Sequence, residues 1–154
     1  MNREKIFSEL YALQVAYWYD VDHNNGLQAT DFYTPDGMFA IGTERMQGHA
    51  EIAAFYSWRK KRGLRTARHV VSNCSVGTAS DDVAEFRCVM TLYADDGVPV
   101  LPARSPVMVA DINDECIRVN GVWRFKTHEL RTIFQGGVQP TIPNRSDILA
   151  NKSP

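Results

Sequence analysis

Residues 107–134, VMVADINDECIRVNGVWRFKTHELRTIF, decide the fold class. Apolar and polar side chains alternate from Val107 to Val119 and again from Val122 to Phe134. Asn120-Gly121 stands between the two runs, where a two-residue hairpin turn needs residues that tolerate positive φ. Moving upstream, the period of two continues. Arg68 to Val76 and Val83 to Tyr93 read as strands, with turns at Asp81-Asp82 and Asp95-Asp96-Gly97. The second half of the chain is therefore expected to be four antiparallel strands.

The first half has a helical period. Residues 4–22 place Ile6, Leu10, Leu13 and Tyr17 on one stripe and Phe7, Tyr11, Val15 and Trp18 on another. So broad an apolar surface predicts a helix buried on much of its circumference. Asp22-His23-Asn24-Asn25-Gly26 ends it. A short helix is expected from Leu27 to Tyr33, a turn at Thr34-Pro35-Asp36-Gly37, a short strand at Met38–Ile41, and a further helix from Gly48 to about Gly63. Helices first and a meander afterwards make an α+β domain, residues 1–135, in which a strongly curved sheet wraps the helices. Residues 136–154 read as an irregular tail that wraps the domain or hangs free.

Composition narrows the function. The 154 residues carry 44% apolar and 23% charged side chains and a net charge of −1, which gives no footprint for nucleic acid or an anionic membrane. The basic run Arg59-Lys60-Lys61-Arg62 reads as a solvated helix end, with a phosphate-binding patch as the other option. No run approaches the ~20 apolar residues of a membrane span, and the charged N-terminus is no signal peptide, so a soluble cytoplasmic protein is expected. Cys74, Cys88 and Cys116 are widely spaced and read as buried reduced thiols. GxSxG, GxGxxG, GxxxxGK and HExxH are all missing, and the four histidines are scattered, so neither a metal nor an organic cofactor is expected.

Acid–base chemistry remains. Asp22 stands at a helix end and His69 among valines on a strand; an imidazole there is the side chain best placed to titrate near neutrality. The residues alone leave open whether the two meet, whether Asp20 takes the place of Asp22, and whether His69 is structural.

Tyr17-Trp18-Tyr19-Asp20-Val21-Asp22-His23-Asn24-Asn25, Asp31 to Phe39, Gly48-His49-Ala50-Glu51-Ile52, Arg68 to Asn73 and Asn120 to Phe125 together resemble the SnoaL-like, scytalone-dehydratase-like proteins of the nuclear-transport-factor-2-like superfamily. The resemblance spans roughly residues 5 to 134. It implies a cone-shaped sheet around an apolar cavity, with His69 removing a proton and Asp22 orienting it. It also implies a pocket polar group at Tyr17, which would need the helix end to unwind if Tyr17 and Asp22 are both to face inward.

Arg87 falls where scytalone dehydratase has a second catalytic histidine. It either clamps a carboxylate or oxyanion or pairs with Glu85 on the outer face. Asn73, two residues after His69, is expected on the same strand face. Trp58 and Phe39 are expected to line the cavity.

The function so implied is a cofactor-independent lyase or isomerase of dehydratase type, acting on a small apolar cyclic or polyketide-like substrate and forming a homodimer or homotrimer. The alternative is a non-catalytic ligand-binding or structural subunit, such as the small subunit of a ring-hydroxylating dioxygenase. An epoxide-hydrolase or ketosteroid-isomerase type would need Asp111 or Asp114 to face the cavity from a middle strand.

Overall fold

The computed structural model describes residues 1–136 together with 146, 148 and 150; the expected tail otherwise lies outside the described residues. Helix α1 spans Arg3–Asn24, capped by the Asn2 side chain, which accepts the Lys5 N–H at 3.0 Å. A one-turn 3-10 helix, Ala29–Phe32, stands where a longer helix was expected. Strands β1 (Tyr33–Ile41) and β2 (Glu44–Gln47) follow, then helix α2 (Gly48–Lys61) and the long strands β3 (Arg65–Ala79), β4 (Val83–Asp96), β5 (Met108–Val119) and β6 (Val122–Gln135).

All six strands join one open sheet in the order β2-β1-β6-β5-β4-β3. The β3-β4-β5-β6 meander is antiparallel as expected, and Asn120 and Gly121 both take positive φ in its last hairpin. Two features depart from expectation. β2 was not foreseen, and β1 runs parallel to β6. The Thr34–Gly37 stretch is no free turn but an irregularity inside β1, where the register against β6 shifts between Tyr33 and Met38.

Helix α1 packs on β3 and β6, which stand three places apart in the sheet, so the sheet bends around it. Only one stripe of α1 is covered. Ile6, Leu10, Leu13, Tyr17, Trp18 and Val21 are buried, while Phe7, Tyr11, Val15 and Tyr19 keep a third or more of their surface in solvent. The expectation of a helix buried on much of its circumference is narrowed, because most of the second stripe, Trp18 apart, faces solvent: a helix lying in a sheet's concavity has its back to water. Of the later described residues, Ile148 is buried within the core.

The α1 terminus sets up the site. Asn25 adopts the left-handed conformation and the Gly26 N–H donates to the Asp20 carbonyl at 3.1 Å. Gly26 has φ +70°, and a Cβ there would lie 2.3 Å from Tyr56 Cδ1. Gly26→Ala therefore combines left-handed strain with overpacking and should lower stability by roughly 2–4 kcal/mol in denaturant titration. A loss below 1 kcal/mol would mean that Tyr56 moves aside freely.

Candidate functional site

The last turn of α1 brings Asp22 onto β3. The Asp22 carboxylate accepts from His69 twice: Oδ1 lies 2.6 Å from Nδ1, and Oδ2 takes the backbone N–H at 2.8 Å. Both side chains are shut from solvent, at 4% and 7% exposure for Asp22 and His69. A carboxylate on Nδ1 holds the proton there and leaves the Nε2 lone pair free. Trp18 stacks on the imidazole, with ring centres 4.2 Å apart and planes within 9°. Burial pushes the His69 pKa below the ordinary histidine value; Asp22 pulls it up and Arg59 pushes it further down. The ring is thus neutral and basic at neutral pH.

His69 lines a cavity whose apolar wall includes Val21, Phe39, Phe55, Leu92, Met108 and Leu130, and whose polar groups include Tyr56, Arg59 and Arg65. With its mouth it takes in about 490 Å³.

The expected site residues divide. Asp22, His69 and Phe39 come together at the cavity. Asp20 does not compete: its carboxylate accepts from Asn24 Nδ2 at 2.8 Å and the Gln28 N–H at 3.1 Å, fastening the turn after α1.

Tyr17 is buried, but behind the wall. It is bonded to the Tyr56 hydroxyl and accepts from Tyr33 at 3.0 Å, and of these three tyrosines Tyr56 lines the cavity. No unwinding is needed for Tyr17 and Asp22 both to be buried, because α1 stays helical to Asn24 and its covered stripe is wide enough for both. Burial pushes the Tyr56 pKa far above the usual phenol value, so the hydroxyl stays protonated and can donate a hydrogen bond.

The expectations for Asn73 and Trp58 are corrected, and of the two readings of Arg87 the outer-face pairing with Glu85 holds in place of the clamp. Arg87 is exposed and donates to Glu85 Oε2 at 2.8 Å on the outer face. Asn73 is exposed with φ +52°, at a bulge between the Ser72 and Ser75 pairings of β3. The extra residue flips the strand's phase, so His69 and Val71 face in but Asn73 faces out and Cys74 follows inward. Trp58 is half-buried beside Phe55, under the Arg62 guanidinium, and is not on the cavity wall.

The sequence reading missed a second buried pair. Asp114 Oδ1 lies 2.6 Å from His128 Nδ1, and Asp114 Oδ2 accepts from Gln14, whose Oε1 takes the Trp18 indole N–H at 3.1 Å. Both members of the pair are fully buried, and His128 Nε2 has no partner among the described residues. The signal was available: Asp114 shares its strand parity with Met108, Ala110, Ile112 and Cys116, all of them core residues. Asp114 is thus the middle-strand carboxylate that faces inward, but into the core beside His128; Asp111 is bound to Arg131 at 2.9 Å near the surface.

Among the described residues no three His, Cys, Asp or Glu side chains converge so as to hold a metal ion, and no helix is long and apolar enough to cross a membrane.

Comparison with known proteins places this geometry. A candidate scytalone dehydratase from Novosphingobium aromaticivorans DSM 12444 superposes with a TM-score of 0.68 at 19% identity, over 89% of this chain and 91% of that one. ActVI-ORFA from Streptomyces coelicolor gives 0.73 at 14%, over 83% and 97%. A nuclear-transport-factor-2-like protein with a cystatin-like fold, from N. aromaticivorans, gives 0.68 at 22%, over 82% and 80%. These likenesses show the cystatin-like fold. No curated protein matches the sequence. The SnoaL-like domain model matches residues 8–129, most of the cone and both halves of the Asp22–His69 pair, and the chain belongs to the SnoaL-like domain family.

Proposed function

We propose that the protein is a cofactor-independent lyase or isomerase that removes a proton from a small, mainly apolar cyclic or polyketide-like substrate. One observation carries the reading: a neutral, buried imidazole lines an apolar cavity while a carboxylate grips its far nitrogen. His69 Nε2 takes the proton from a carbon beside a carbonyl. The Tyr56 hydroxyl donates toward the oxygen on which charge develops. In a dehydration, His69 returns the proton to the departing hydroxide as water, so the residues end as they began. The name carried by the scytalone-dehydratase neighbour supports elimination of this kind. The dyad facing a cavity favours this over a structural subunit, whose cone would have no use for a base. A homodimer or homotrimer belongs to the same proposal.

The test is a screen of hydroxylated cyclic ketones and polyketide-like acids with wild-type protein and a His69→Ala control. Turnover in neither, across the panel, would favour the structural-subunit reading.

A pH profile adds a second check. Because the folded His69 pKa is lowered, kcat/KM should rise along a limb centred below the ordinary value of about 6.5 and then stay flat. Stability follows the same sign. Between the folded pKa and about 6.5 the unfolded chain binds more protons, so stability falls as pH drops through that window. A limb centred above 6.5 would contradict the assignment of His69 as base.

A further inference from the structure

We propose that Arg59 and Arg65 form an anion subsite in the cavity, which takes the carboxylate of an otherwise apolar organic acid. The inference rests on the reading that substrate binds beside His69, and it names the substrate's class.

Arg59 closes α2 and Arg65 opens β3, and both line the cavity that holds His69. Their neighbours on the basic run lie outside that cavity's lining; Arg59 turns inward. Among the described residues each guanidinium has one protein acceptor. Arg59 makes one long bond, from Nη1 to the Val21 carbonyl at 3.4 Å. Arg65 donates from Nη1 to Asp96 at 3.0 Å, while its buried Nη2 has no partner among the described residues. A guanidinium carries five N–H donors in a planar fork, and buried donors left unmatched are unfavourable.

The acceptors nearby are already engaged. Asp22 spends both oxygens on His69, and Asp96, 72% exposed, sits on the solvent side of Arg65. Tyr56 is hydrogen-bonded to Tyr17. Asp20, which also acts on Tyr56, is bound to Asn24 and Gln28. Burial lowers the Arg59 pKa; Tyr56 and the Asp22 carboxylate hold it up, and Arg65 adds a smaller push downward. An anion between them matches the free donors and relieves the repulsion. The mainly apolar lining suits a ring or chain, and the planar guanidinium fork matches a flat carboxylate.

The test is a titration at pH 7.5 and low salt with benzoate, the neutral isostere benzamide and inorganic phosphate, followed by calorimetry. Benzoate should bind at least tenfold tighter than benzamide in wild type. Arg65→Gln and Arg59→Gln should each bring that ratio close to one. Should Arg59→Gln fail to fold by circular dichroism, Arg65→Gln decides, since its guanidinium stands at a strand end. Equal binding of benzoate and benzamide, or a preference that survives Arg65→Gln, overturns the subsite. Phosphate binding as tight as benzoate overturns the carboxylate assignment. The preference should persist in His69→Ala; its loss there would place anion recognition on the imidazole and also overturn the proposal. Benzoate preference without any turnover sinks only the enzyme reading, and turnover of neutral ketones without the preference sinks only the subsite.

Discussion

Asp22→Asn lowers kcat/KM as severely as His69→Ala, by about 10²–10⁴, while the fold persists. The equality follows from the two bonds that Asp22 accepts. The His69 backbone N–H is a donor whatever the side chain does, so the amide oxygen of an Asn must face it. The amide NH₂ then faces Nδ1, which has to become the acceptor. The ring proton moves to Nε2, and the lone pair that should take the substrate proton is gone. The change is isosteric and keeps the backbone bond, so the stability loss should stay within about 1–3 kcal/mol. His69→Ala reaches the same rate by deleting the base outright, and it also removes the ring that Trp18 covers. Measured rates and denaturation midpoints for both variants check this. An Asp22→Asn enzyme within threefold of wild type would mean that the carboxylate does not set the tautomer.

The meeting of Asp22 and His69 was legible only through resemblance. They lie 47 residues apart, and nothing local in either segment points to the other. The meander itself was readable because β3 to β6 keep period two and their turns use residues suited to them. What escaped were the breaks in the period. Asn73 adds one residue to β3, and a second register shift in β6 lies opposite Glu115 and Cys116. Each break moves the inward positions from odd to even numbers, and counting by twos then assigns the wrong face. Asn73 was misplaced for this reason. His128 went unnoticed for the same one: Trp123 and Phe125 face in, and after the shift so do His128 and Leu130. Arg59 was misread because a charged run at a helix end looks uniformly solvated, whereas one residue in it can face the neighbouring strand. The β1–β6 pairing is a long-range parallel contact with no turn of its own to announce it.

Asp114→Ala should be the most destabilising single change at the centre of the protein, at roughly 3–5 kcal/mol. Three groups depend on this carboxyl in a space that water does not reach. His128 Nδ1 loses its partner, with Nε2 already unmatched. Gln14 loses the acceptor for its amide. Trp18 keeps its bond to Gln14, but Gln14 is no longer anchored. Burial pushes the Asp114 carboxyl above its ordinary pKa, and His128 and Gln14 hold it back. That balance shows that desolvation is the larger opposing effect. A buried pair of this kind is expensive to break and is not itself a large source of stability, so the double variant Asp114→Leu, His128→Phe should recover the part of the loss that comes from the unpaired imidazole, while Gln14 stays without its acceptor. Fluorescence-detected urea unfolding of the single variants Asp114→Leu and His128→Phe and of the double measures the coupling directly. Additive losses would mean that the residues do not act as a pair. With coupling established, the double variant also separates the pair from the chemistry. Trp18 lies against both rings, with centres 4.2 Å from His69 and 5.4 Å from His128. If the Asp114–Gln14–Trp18 chain holds the face on which His69 rests, a stable double variant will still lose kcat while its pH limb stays with His69.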